Sequence, residues 1–139
     1  MRYPYRSRVL EAMTYPDRND LAEAQAAINK LPYELHAEAW EDIRQRGAGD
    51  CKDSVLGGLH ALLERGWPIE SLKIGICRVE PENRLPGQTH AVLVVNDKHV
   101  LDERQEAVVT IDELDHLGYE PIEIQREGGS RTFVGWSWT

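Results

Sequence analysis

Apolar positions along the chain change their period once, near residue 70. Before it they recur at helical spacing, and after it they come in short β-rich runs. Asn19 is placed to cap a helix over about 20–30, with Asp20 and Glu23 in its first turn. Pro32 suits the start of a second helix, in which Leu35, Ala39 and Ile43 recur every fourth residue. Gly47-Ala48-Gly49 should stop that helix. The third helix has the clearest marks. Asp50 stands at the N-cap, Val55, Leu56, Leu59, Leu62 and Leu63 form one stripe, and Gly66 and Pro68 are stop signals. The pattern predicts a helix over about 51–65.

From Leu72 the chain turns extended. Leu72–Val79 is β-rich, and a loop with Pro81, Pro86 and Gly87 leads into His90-Ala-Val-Leu-Val-Val95. Asn96-Asp97-Lys98 is a turn signal and His99-Val-Leu-Asp102 resumes the extended character, which predicts an antiparallel hairpin. Thr110-Ile-Asp-Glu113 matches a capping box, so a short helix is expected over about 111–117, ending at Gly118. Tyr119–Gln125 and Thr132–Trp138 are two further strands around Gly128-Gly129. Helices first and strands afterwards predict an α+β fold.

Composition narrows the function. At 139 residues, 41% hydrophobic and 29% charged, the chain is expected to form one domain over residues 1–139. A net charge of −8 disfavours nucleic acid and anionic membrane surfaces as partners. No run approaches the roughly 20 apolar residues of a membrane helix. The basic start Met1–Arg8 is followed only by Val9-Leu10, too short for a secretory signal, so a cytoplasmic location is expected unless a leader lies outside this sequence. Two cysteines, Cys51 and Cys77, make no disulfide framework and fit a reducing compartment or a site thiol.

Cys51 is the candidate with a physical reason to react. It opens the third helix, where unpaired amides and the helix dipole favour an anion and so a thiolate. Its spacing with Val55 and Leu59 also puts it on the apolar stripe, where a free cysteine is commonly a buried small hydrophobe. What faces it decides between the two. His90 leads the most apolar strand, and Asp102 is the next polar interruption of the hairpin. Residues facing each other across an antiparallel pair share a face. A three-residue loop pairs Val95 with His99 and hence Val92 with Asp102, which puts Asp102 diagonal to His90 on one face. A two-residue loop sends Asp102 to the other face. In the first case thiol, imidazole and carboxylate supply a nucleophile, a base and an orienter, with the Cys51 N–H as an oxyanion donor. Trp40 and Gln45 are weaker candidates for a second donor.

The residues carry a resemblance at this point. Gly49-Asp-Cys-Lys-Asp53 leading into a helix, Gly87-Gln-Thr-His-Ala-Val-Leu93 and Val100-Leu-Asp102 resemble three motifs of bacterial transglutaminase-like cysteine peptidases. The likeness extends loosely back through Pro32-Tyr-Glu-Leu35, so it covers roughly residues 30–105. That family includes periplasmic proteases that release surface adhesins. The resemblance implies a papain-like, transglutaminase-like fold with the cysteine heading a central helix on an antiparallel sheet. It implies a catalytic triad of Cys51, His90 and Asp102 acting on a protein or peptide. Adhesin-releasing members carry an acidic residue directly after the cysteine, within a calcium-binding cluster, whereas Lys52 stands here. No cofactor is therefore expected, and Asp50 and Asp53 are the ligands left should calcium be retained. Those members also carry an export leader.

The leading expectation is acyl transfer on an amide through a thioester, with peptide or amide hydrolysis ahead of transfer to an amine. The first alternative is a non-catalytic peptide- or protein-binding module on the same fold. The second is a metal protein using Cys51, Cys77, His90 and Asp102, although none of these pairs has the short spacing of common zinc sites. His36, His60, His99 and His116 are expected in solvated or capping roles. Asp112, Glu113 and Asp115 are expected on a wet helix face, and Trp136 and Trp138 in core packing on one face of the last strand.

Overall fold

The computed structural model describes residues 18–34, 40–79 and 89–138. Its central helix is built as the sequence dictates. Asp50 accepts from the N–H groups of Lys52 and Asp53, and the Asp53 side chain accepts in return from the Asp50 N–H, a complete capping box at the head of α3 (Cys51–Glu64). Gly66, at φ 93°, takes the left-handed conformation that ends the helix. The first helix, α1 (Arg18–Asn29), starts earlier than its pattern predicts and takes Asn19 into its body.

Of the second predicted helix, the described residues 32–34 and 40–42 are not helical. What forms is one turn, α2 (Ile43–Arg46), capped by Asp42 through the Arg44 N–H and closed by left-handed Gly47. Pro32 does not open a helix, because Tyr33 pairs with Gly49 in an isolated parallel bridge. Leu35, His36 and Ala39, three positions of that expectation, lie outside the described residues. The capping side chain of Asp42 offers the backbone a start that the apolar spacing alone did not reveal.

After a 3-10 turn at Ile69–Ser71, strands β1 (Leu72–Arg78), β2 (Thr89–Val95), β3 (His99–Leu101), β4 (Val109–Thr110), β5 (Glu120–Gln125) and β6 (Phe133–Gly135) form one antiparallel sheet. Its order is β4-β3-β2-β1-β5-β6. The short β4, too brief to announce itself in sequence, leads into α4 (Ile111–His116), whose Thr110–Glu113 capping box forms as expected.

Every β2 residue after Thr89 is buried, so both faces of the strand are covered. Ala91, Leu93 and Val95 pack with Val55 and Leu62 of α3 and Leu21 of α1. Val92 and Val94 pack with Leu114 and Tyr119 on the other face, where Trp136 and Trp138 close the edge with rings 5.0 Å apart. A Cβ at Gly75 would lie 2.6 Å from the Trp136 ring, so glycine is what lets this tryptophan lie flat on β1. Among the described residues no helix is long and apolar enough to cross a membrane.

The β2–β3 loop sets the register of the site. Asn96 and Asp97 take positive φ of 53° and 58°, and the three-residue loop pairs Val95 with His99 and Leu93 with Leu101. Asp102, one step beyond the ladder, falls on the His90 side of the sheet. The α3 N-terminus, the head of β2 and the end of β3 therefore meet at one end of the molecule.

Candidate active site

Cys51 is half-buried at the first position of α3. The amides of Lys52 and Asp53 go to the Asp50 side chain and that of Ser54 to the Asp50 carbonyl. The Cys51 N–H is not among the groups this cap engages. His90 is buried at the head of β2, and its Nε2 lies 2.6 Å from Asp102 Oδ1. The Cys51 side chain lies near enough to the same ring to favour its charged form. With Nε2 committed to the carboxylate, Nδ1 is the nitrogen left for the sulfur. Of the three side chains that the sequence singled out, His90 and Asp102 are directly bonded, and Cys51 lies beside the ring.

Asp102 is 1% exposed and must be held ionic against the cost of burial, which for a lone carboxylate amounts to several kcal/mol. Burial pushes its carboxyl upward. The His90 ring, the Tyr119 hydroxyl at 2.6 Å from Oδ2 and the Arg104 N–H at 3.0 Å from Oδ1 outweigh that and leave it below its ordinary value. For His90, burial favours the neutral ring, but the bond to Asp102 and the nearby Cys51 prevail and push its pKa up to about 10. The ring therefore carries its proton at neutral pH. Cys77 is the contrast. It is fully buried on β1, its thiol donates to the His90 carbonyl at 3.6 Å, and burial with the nearby Asp102 charge pushes it up to about 12.

Two residues of this network carried no local signal. Tyr119 follows left-handed Gly118 after α4 and reaches back seventeen positions to Asp102. Gln25, 1% exposed on α1, clamps the Asp102 backbone from both sides: Nε2 donates to its carbonyl at 2.9 Å and Oε1 accepts its N–H at 3.2 Å. A tyrosine beside a strand and a glutamine on a helix look ordinary until the fold brings them together.

The remaining candidates disperse. Gln45 is exposed on α2 and Trp40 is 39% exposed. His60 meets the Asp42 carboxylate at 3.0 Å, His116 meets the Asp112 carbonyl at 2.9 Å, and His99 is half-buried in β3. Asp112, Glu113 and Asp115 are exposed on α4. Among the described residues no group of three or more His, Cys, Asp or Glu side chains is arranged to hold a metal ion.

Similarity to known proteins bears on the fold and the family. Calcium-bound LapG of Legionella pneumophila has a similar structure, with a TM-score of 0.68 at 19% identity over 86% of this chain and 76% of that one. EGTA-treated LapG gives 0.65 at 20% identity over 78% and 63%, and a further LapG structure 0.64 at 19% over 76% and 63%. The chain thus spans 63% to 76% of the LapG chains it matches. At such identities the likeness establishes a shared α+β, transglutaminase-like fold. No curated protein matches the chain by sequence. The family model of the bacterial transglutaminase-like cysteine proteinases matches residues 18–135, nearly the whole of it. The chain therefore belongs to the bacterial transglutaminase-like cysteine proteinases and is a cysteine peptidase.

Proposed function

We propose that Cys51, His90 and Asp102 hydrolyse a peptide bond through a thioester. One observation carries this: buried His90 is fixed by Asp102 at 2.6 Å, and the Cys51 side chain acts on the same ring to favour its charged form. The Cys51 sulfur attacks the carbonyl carbon, forming a carbon–sulfur bond and a tetrahedral oxyanion. The Cys51 N–H stabilises that oxyanion. His90 gives its proton to the departing amine as the carbon–nitrogen bond breaks, leaving a thioester and a neutral ring. Water then attacks the thioester, His90 takes a proton from it, and the acid leaves as the sulfur returns to its starting state. Asp102 holds the ring in one orientation and stabilises its charged form throughout. The proteinase family implies a protein substrate.

Iodoacetamide at mildly acidic pH tests the site. Cys51 is expected to label at least tenfold faster than Cys77, and His90→Ala to slow Cys51 without touching Cys77. Equal, sluggish labelling of both thiols, followed by peptide mass, rejects the mechanism.

Among the described residues the carboxylates beside Cys51 are already engaged, which supports a peptidase that needs no calcium. Calcium takes roughly 6–8 oxygen ligands, yet the oxygens of Asp50 and Asp53 already accept from this chain's own donors. Lys52 Nζ lies 2.6 Å from Asp50 Oδ2, whose partner Oδ1 takes the cap amides. Asp53 Oδ1 accepts the Glu41 N–H at 2.9 Å, while Oδ2 accepts the Asp50 N–H at 3.2 Å and faces Arg46 at 3.8 Å. The Lys52 ammonium acts as a tethered cation here, and the peptidase works without calcium. Chelation with EGTA is expected to leave Cys51 labelling unchanged. In Lys52→Glu, labelling should become calcium-dependent. An EGTA-sensitive wild-type protein would overturn the assignment.

A further inference from the structure

The proposed mechanism uses one oxygen of Asp102. The other is held by a side chain that enters none of its steps. Tyr119 is buried between α4 and β5, and its hydroxyl donates to Asp102 Oδ2 at 2.6 Å. The same hydroxyl accepts from Gln105 Nε2 at 3.1 Å, so its proton is directed at the carboxylate. Its ring stands edge-on to His90, with centroids 6.1 Å apart and planes at 83°. Its own backbone is fixed by N–H donation to the Leu114 carbonyl and by Trp138 Nε1, which donates to its carbonyl.

We propose that Tyr119 is a positioning residue for the peptidase reaction: it anchors the carboxylate that orients the histidine, and its ring limits the tilt of the imidazole. This rests on the Cys51–His90–Asp102 mechanism above. The physical argument is one of satisfaction. A buried carboxylate with one oxygen unpartnered either takes a proton or swings toward a new donor, and both would undo its alignment with Nε2. Burial and the Asp102 charge also push the Tyr119 phenol above its ordinary range, so it stays a donor wherever the enzyme operates. The titratable and charged groups around this carboxylate are His90 on β2, Cys77 on β1 and Arg104 in the loop after β3, with Cys51 of α3 behind the histidine. From α1 comes neutral Gln25.

The test is the pH profile of Cys51 alkylation by iodoacetamide in the full chain. Tyr119→Phe keeps the ring and its packing and removes only the hydroxyl. It is expected to lower the rate near neutrality by about tenfold, the scale of one hydrogen bond to a charged group. The acid limb should move to higher pH, because Asp102 then holds a proton more readily. Asp102→Asn is expected to show a larger loss, and adding Tyr119→Phe to it little more, since both act through one carboxylate. Gln105→Leu removes the outer donor, leaves the phenol in place, and should shift the limb the same way by less. A Tyr119→Phe profile that superimposes on wild type, with Asp102→Asn impaired, overturns the role of Tyr119 alone. An unimpaired Asp102→Asn overturns the underlying triad and this inference with it. If Tyr119→Phe does not fold, Gln105→Leu decides on the same criterion.

Discussion

At the scale of single residues, the site is a competition between burial and hydrogen bonding. His90 and Asp102 are 3% and 1% exposed, and each is driven toward neutrality by burial and toward charge by the other. The sign of the result is checkable. His90 titrates at about 10 when folded against an ordinary 6.5, so its contribution to stability is complete below about 6.5 and is lost as pH rises through 10. Asp102 is depressed, so its contribution is complete above its ordinary 3.8 and is lost at lower pH. Urea midpoints are therefore expected to fall between pH 6.5 and 10, at no more than about 1.4 kcal/mol per pH unit for one proton. In His90→Gln that alkaline slope should flatten. A wild-type midpoint that is level over the range contradicts the charged pair.

Elements place these residues through local chemistry that can be read in advance. The Asp50–Asp53 capping box starts α3 at Cys51 and not one turn later, which fixes the sulfur at the helix head. The left-handed Asn96 and Asp97 make the β2–β3 loop three residues long, and that odd count is why Asp102 lands on the histidine's side. Elements also show how independent the site is from its distant supports. Thr110→Ala removes the cap of α4, where the side chain accepts from the Glu113 N–H. It should cost about 1 kcal/mol in urea unfolding while leaving Cys51 alkylation unchanged. A lost alkylation rate without a shift in midpoint would show that α4 controls the site by another route.

For the whole molecule, the sheet has two buried faces and the site sits where they meet. The α1–α3 layer brings the cysteine, the β2–β3 hairpin brings the imidazole and carboxylate, and the second face brings Tyr119. Helix α1 reaches across to Asp102 through Gln25, so a layer that packs against the sheet also holds the backbone of the carboxylate. The apolar run of β2 is explained at this scale: with both faces covered, alternation disappears.

The amino-acid order by itself determined the short-range features. These are the capped helix at Cys51, the turn at Asn96-Asp97-Lys98, the Thr110 capping box and the α+β succession, whereas the odd length of that turn was settled only by the structure. Among the described residues it misplaced the start of α2, since apolar spacing cannot weigh the Asp42 cap or the Tyr33–Gly49 bridge. Tertiary structure alone decided which donors complete the buried carboxylate. Gln25 lies 77 positions from Asp102, and Tyr119 lies 17 positions away beyond a helix. Contacts over such separations leave no periodicity in a sequence, and only the folded chain, which buries a charge and must then satisfy it, reveals them.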